Sequence, residues 1–358
     1  MKSKKVVICS VLALVLVAAI TGLFVTACQN KKNKEVPAPV KAKEVVSKPA
    51  IEEKPVDVFP LTGAPADDLE KLGISERRPL SIKIENSSDA RPQTGINHAD
   101  LIYETEVEGG ETRFNCLFQS DIPSEVGPVR SARLSDIYVV PQYQGILFYS
   151  GANIQVADLI KTTGITDMSN FDGYHRVNFK YAPHNYYLTL DGVYDKIMTN
   201  TQVKLDPKYT VLHKEIEAAD NKGLEKASDI SIDMTPASKP SYKYDEATKK
   251  YTRSFNDTVQ TDSDDVPVTT SNVVVMEAAY VESPMKDPAG SPTYDTLLSG
   301  KGKAYIFRDG YKIEGTWEAT ANTPPVFKDA NGKDIPLAVG NAWYEVIRTD
   351  RTVTSTAS

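Results

Sequence analysis

Glu104, Glu106, Glu108, Arg113, Arg130 and Arg133 all fall within the stretch 101–133, LIYETEVEGGETRFNCLFQSDIPSEVGPVRSAR. Two kinds of chemistry suit them. Arginines pair with carboxylates and phosphates through two parallel hydrogen bonds, so Arg113, Arg130 and Arg133 suit an anion. Asn86, Arg91, Gln93, Glu104, Glu108 and Ser131 add donors and acceptors around such a ligand. The second chemistry is acid–base hydrolysis by two carboxylates with His184 as base. At ~3.3 Å per residue, Glu104 and Glu108 have backbones ~13 Å apart, too far for a retaining pair. Glu104 and Glu106 are closer, at ~7 Å by the same rise. Glu104, Glu106 and His184 are therefore the catalytic alternative. A third reading needs no ligand: the charges neutralise one another as a structural network.

These residues need elements to position them. Residues 101–108 alternate as a strand, and 112–119 form a second. Gly109-Gly110 reads as a two-residue hairpin loop. Counting back from it sets Glu106 opposite Arg113, Glu104 opposite Asn115, Thr105 opposite Phe114 and Tyr103 opposite Cys116. One hairpin face is then apolar and the other carries all the charges. After Gly127-Pro128, Ser131 reads as a helix N-cap, with Leu134, Ile137 and Tyr138 at helical spacing and Pro141 ending the run. Arg130 and Arg133 would flank the first turn, whose free N–H groups favour an anion.

Cys116 sits on the apolar strand face and reads as a buried, inert thiol. The four histidines show no HxxxH or HExxH spacing and the cysteines no CxxC, so no metal is assigned. No GxGxxG or Walker loop is present, and no cofactor is assigned.

The N-terminus carries Lys2, Lys4 and Lys5, then an apolar run over 6–27 that ends Thr26-Ala27-Cys28. A small residue before a cysteine after such a run resembles a bacterial lipoprotein signal peptide, cleaved after Ala27 with the lipid on Cys28. An uncleaved anchor is the alternative, since the run can span a bilayer. Both place the folded part outside the cytoplasm, held to the membrane. Cleavage removes three lysines and no acid, taking the formal charge from −7 to −10. Such a chain is a poor nucleic-acid binder.

Residues 28–58 are rich in Lys, Glu, Pro and Ala without periodicity and read as a disordered tether. Residues 59–235 alternate strands and helices: a strand over 80–85, a buried strand over 145–150, a helix over 153–162, a Tyr- and His-bearing loop over 171–187, and a helix over 191–200 capped by Asp191. A helical piece is expected over 212–225. Residues 236–350 read as strands over 242–244, 251–255, 273–280, 304–307, 312–317 and 342–347, with hairpin turns at Asp309-Gly310 and Asn331-Gly332. Residues 351–358 read as a frayed tail. The fold class is α+β: an N-terminal mixed-sheet domain with helices, then a small antiparallel β domain.

Ile84-Glu85-Asn86, Ala90-Arg91-Pro92-Gln93-Thr94-Gly95, Glu108-Gly109-Gly110, Thr112-Arg113 and above all GPVRSAR at 127–133 resemble the YerB-like lipoproteins of Gram-positive bacteria. Tyr244-Asp245, Arg253, Asn272-Val273, Gly315-Thr316-Trp317 and Trp343 follow in the same order. The resemblance spans nearly all the chain beyond the tether. It implies a surface lipoprotein with a layered N-terminal α/β domain (two sheets and a helical layer) and a C-terminal β domain, and it implies no reaction. The reading is a membrane-anchored binding module for a cell-wall ligand or a membrane-associated protein, with cell-wall hydrolysis as the alternative.

Overall fold

Strand β1 (Leu80–Glu85) forms where LSIKIE alternates, and every one of its residues is buried. It is a central strand with both faces covered. It pairs antiparallel with β3 (Thr112–Phe118), which pairs antiparallel with β2 (Leu101–Glu106). The structure is a computed structural model describing residues 58–66, 75–199, 201–206, 214–215, 221–286 and 290–357. The apolar run 6–27, Cys28 and most of the tether lie outside the described residues. No helix among the described residues is long and apolar enough to cross a membrane.

The β2–β3 register differs from the two-residue expectation by one. The Val107 N–H donates to the Glu111 carbonyl at 2.8 Å, closing a longer loop with Gly109 and Gly110 both at positive φ. Glu104 therefore faces Phe114, Tyr103 faces Asn115, and Thr105 faces Arg113. One extra loop residue reverses the parity of a pleated pair. Glu104 and Glu106 thus share a face with Ile102, Phe114 and Cys116, while Arg113 and Asn115 lie on the other. Neither face is purely apolar. Cys116 is buried, and burial pushes its thiol well up.

The two halves of the chain build one sheet. Ala342–Arg348, from the far end of the chain, lies parallel to β2 on one side and parallel to Asn272–Ala278 on the other. Gly300–Arg308 and Tyr311–Ala319 continue the sheet antiparallel beyond Asn272–Ala278. Ile146–Phe148 and Thr166–Asp167 extend it parallel beyond β1. The C-terminal strands are therefore neither all antiparallel nor a separate layer. A second sheet, Thr258–Val259, Lys250–Phe255, Pro240–Asp245, Asp229–Ile232 and Val353–Thr356, contributes Tyr251, Tyr242 and Ile230 to the core that contains Phe114 and Trp343. Leu101, Tyr103 and Leu117 belong to a second core with Val139 of helix α1 (Asp136–Gln142) and with Tyr143, which follows it. The molecule is mostly β with few helices.

Helix α2 (Ile154–Thr162) is capped as a helix should be, the Asn153 side chain accepting the Val156 N–H at 2.9 Å. Five other expectations fail. Ser131 does not cap α1, which starts five residues later. The third helix, α3 (Val193–Ile197), is capped by Gly192 at positive φ instead of Asp191. The loop 171–187 contains the strand Tyr174–Arg176 and the start of Tyr186–Thr189. In 212–225, Lys214–Glu215 pairs as strand with Leu337–Ala338, and Glu225 begins a strand on Tyr311–Ala319. The tail is not frayed either: Val353–Thr356 is the edge strand beside Asp229–Ile232.

Candidate functional site

The main sheet separates the sequence's charged residues into two groups. On the face shared by Ile102 and Phe114, Glu104 points at the second sheet and meets Arg253. The Arg253 Nη2 donates to Glu104 Oε2 at 2.5 Å, and both side chains are wholly buried. Glu345 lies directly across from Glu104 on the parallel strand. Tyr242 donates to Glu345 Oε1 at 2.5 Å and accepts from Arg253 Nε at 3.2 Å. The guanidinium carbon stands 4.6 Å from the centre of the Trp343 ring.

Neutral groups complete this network. Glu104 Oε1 accepts from Thr112 at 2.6 Å and from Asn86 at 3.1 Å. Gln93 donates to Asn86 Oδ1 at 3.0 Å and accepts from Gln260 at 3.0 Å, and Gln260 accepts in turn from Arg253. Asn86, Gln93 and Glu104, expected around a ligand, are thus committed to one another. Burial pushes the Glu345 carboxyl well above its ordinary range, and the nearby Glu104 adds to this. Burial lowers Arg253, but Glu104, Tyr242 and Glu345 outweigh it and hold the guanidinium above its usual value. Two carboxyl groups and one arginine sealed from water balance when one carboxyl keeps its proton.

The opposite face carries the arginines. Glu85 and Arg113 are cross-strand neighbours at the end of β1 and β3. Arg113 donates to the Ser131 carbonyl at 2.9 Å. Burial lowers its guanidinium to about 9, with Arg133 and Arg130 adding to the effect, so it remains charged at neutral pH. Arg133 grips Glu108 with two hydrogen bonds, Nε to Oε1 at 2.7 Å and Nη2 to Oε2 at 2.8 Å. Its backbone N–H donates to Asp136 Oδ2 at 2.7 Å, which anchors the start of α1. The Ser131 hydroxyl donates to the Ser150 carbonyl at 3.0 Å. Beneath these, Lys83 and Asp136 form a fully buried pair at 2.8 Å.

Arg130 differs from the other two arginines. Its Nε lies 3.2 Å from Glu85 Oε1, outside good hydrogen-bond geometry, and its Nη groups have no partner among the described residues. Glu85 Oε1 also takes Ser87 at 2.9 Å and His184 Nδ1 at 3.0 Å. Glu85 Oε2 is buried with no hydrogen-bond partner. Buried polar atoms are nearly always satisfied, so an orphan acceptor beside a cation with spare donors marks a place for a further group.

Glu104, Glu106 and His184 do not gather. Glu104 is sealed against Arg253, Glu106 pairs with Arg348 at 2.6 Å, and His184 stands on the other face against Glu85. Arg91 lies away from the other arginines, its guanidinium stacked 3.6 Å over the Phe255 ring. Among the described residues, no three His, Cys, Asp or Glu side chains stand ready to hold one metal ion.

Comparison with known proteins agrees with this architecture. Residues 61–204 match the model of the "Protein of unknown function (DUF3048) N-terminal domain", and residues 230–344 match that of its C-terminal domain. The chain is 30% identical over 297 residues to the "Putative lipoprotein YerB" of Bacillus subtilis (strain 168), covering 80% of this chain and 85% of that protein. This chain belongs to the YerB-like DUF3048 family. The crystal structure of the YerB protein from Bacillus subtilis superposes with a TM-score of 0.71 at 27% identity, over 83% of this chain and 99% of that one.

Within this YerB-like chain, Glu85, His184, Arg253, Tyr242, Gln260 and Glu345 hold the geometry together. Only His184 was named as a site residue from sequence. The others did leave a signal. Lys83 and Glu85 interrupt LSIKIE, Arg253 interrupts a Tyr251–Phe255 alternation, and Glu345 interrupts AWYEVI. A charge inside a strand buried on both faces must have a buried partner.

Proposed function

We propose that this protein is a lipid-anchored binding module on the outer face of the cell membrane that holds an anionic cell-envelope ligand at Arg130, Glu85 and His184. The relative's name, putative lipoprotein, supports the anchor, and Thr26-Ala27-Cys28 supplies the matching lipidation cysteine. The observation that carries the site is Arg130. Arg130 makes no side-chain hydrogen bond to a described residue, whereas Arg113 donates to the Ser131 carbonyl and Arg133 is clamped on Glu108; both raise the local positive potential from fixed positions. Arg130 takes the anion; Glu85 and His184 take donor and acceptor groups beside it. The Ser87 hydroxyl stands 3.5 Å from His184 Nδ1 but donates to Glu85 Oε1 at 2.9 Å, which commits it to the carboxylate and favours binding over turnover.

The test is calorimetric titration of the full-length protein in detergent with peptidoglycan fragments and wall-polymer phosphates. Binding should weaken with added salt and be lost in Arg130→Ala while the fold is retained. Binding that is unchanged in Arg130→Ala removes the reading.

A further inference from the structure

The loop between Tyr174–Arg176 and Tyr186–Thr189 carries two aromatic rings that the core does not use. Phe179 is 64% exposed and Tyr181 is 63% exposed. Both rings are nevertheless held in place. Phe179 stands edge-on to the buried Tyr187 at 5.5 Å, and Tyr181 edge-on to His184 at 5.4 Å. The neighbouring Asp89 holds the Tyr181 hydroxyl above its ordinary value. Lys180, between them, is tied to the Arg91 carbonyl at 3.2 Å. One loop thus carries two rings that are held in place yet open to water.

This loop adjoins the Arg130 site. His184, against which Tyr181 packs, is the residue whose Nδ1 meets Glu85, and Glu85 meets Arg130. The half-exposed Asp89 and the quarter-exposed Arg130 therefore offer an acceptor and donors on either side of the His184–Glu85 pair against which Tyr181 packs. A hydroxyl is both donor and acceptor, and a sugar ring presents a C–H face to an aromatic ring while its edge carries hydroxyls. A lipid chain would leave Glu85 and Arg130 unpaired. A bare phosphate would use Arg130 and leave the rings in water.

We infer that the site takes a saccharide bearing an anionic substituent, with its ring against Phe179 and Tyr181 and its charge on Arg130. The inference rests on the binding reading above and narrows it to a chemical class.

The test uses full-length protein in a polyoxyethylene detergent, which carries no sugar head group. Three probes are titrated by calorimetry: a disaccharide containing N-acetylmuramic acid, the neutral N-acetylglucosamine dimer, and inorganic phosphate. The acidic disaccharide should bind at least tenfold more tightly than either of the others. Phe179→Ala should weaken it about three- to tenfold, with Phe179→Trp restoring it, and Arg130→Ala should weaken it about tenfold or more. If phosphate binds as tightly as the acidic sugar and Phe179→Ala changes neither, the saccharide assignment is overturned while the anion site stands. If no probe binds, or none loses affinity in Arg130→Ala, the anion site falls and the saccharide assignment falls with it.

Discussion

Glu104 and Glu345 face each other across a parallel strand pair, and one arginine, Arg253, serves both. Glu104 comes from the N-terminal family segment and Arg253 from the C-terminal one, and Glu345 directly follows the latter. The buried charge network is thus also the seam between the halves. Removing the cation leaves two carboxyl groups in an apolar core. Arg253→Met should cost about 3–5 kcal/mol, read by denaturant unfolding of the full chain. A loss below about 1 kcal/mol would mean that water reaches the seam.

Glu345 sets a pH dependence whose sign follows from its raised carboxyl. The folded chain keeps this proton over a pH range in which the unfolded chain, near its ordinary value of 4.5, has released it. The folded state binds more protons there, so stability is full below the unfolded value and falls as pH rises toward the folded one. Asp100, raised to about 6 by burial, contributes with the same sign between its ordinary 3.8 and that value. In Glu345→Gln the slope above pH 6 should flatten, because the amide carries no proton to lose. Equal slopes in the two proteins would place the shared proton elsewhere.

Arg130 and Arg133 should separate cleanly on mutation. Arg133→Ala leaves Glu108 nearly buried without its two hydrogen bonds and should lower stability by about 2–4 kcal/mol. Arg130 is a quarter exposed and loosely paired, so Arg130→Ala should change stability by no more than about 1 kcal/mol. Thermal unfolding of the two variants side by side checks this. The reverse order would make Arg130 the structural residue and Arg133 the free one.

The C-terminal strand is a working part of the second sheet. Ending the chain at residue 350 deletes Val353–Thr356 and opens the edge of Asp229–Ile232. A loss of about 1–3 kcal/mol should follow, with faster amide exchange at Asp229, Ser231 and Asp233, whose N–H groups face the deleted strand.

A fragment holding only residues 58–206 should not form a native core. β2 would lose its Ala342–Arg348 neighbour, and Phe114 would lose Trp343, which packs edge-on to it at 5.2 Å. Dye binding and the absence of near-ultraviolet circular dichroism are the expected readouts. A fragment with a cooperative transition would show the halves to be independent.

Much of the strand pattern was legible in sequence because alternation is local. LSIKIE, the Asp309-Gly310 hairpin and the helix over 153–162 are settled by residues within a few positions of each other. The site was less legible, for two reasons. A single extra loop residue at 108–110 moved the glutamates and Arg113 to opposite faces, and nothing in EGG states the loop length. The partners of Glu104 lie 149 and 241 positions away, at Arg253 and Glu345, and only the parallel pairing of β2 with the end of the chain brings them together. The Arg130 site was legible as composition, since GPVRSAR stands out. What sets Arg130 apart is that Glu108 clamps Arg133 and the Ser131 carbonyl holds Arg113, neither of which the sequence states.

Because Ala342–Arg348 is an interior strand of the main sheet, the order of synthesis limits the order of folding. β2 is made early, yet one of its edges stays open until almost the whole chain has followed. A chain fed residue by residue through a translocation channel therefore emerges with its largest sheet incomplete and closes it only when the last strands arrive. Such late closure makes folding slow, since the longest loop must shut before its contacts form. It also keeps the chain threadable until the end, and a truncated product is left with an open β edge that quality-control proteases can find.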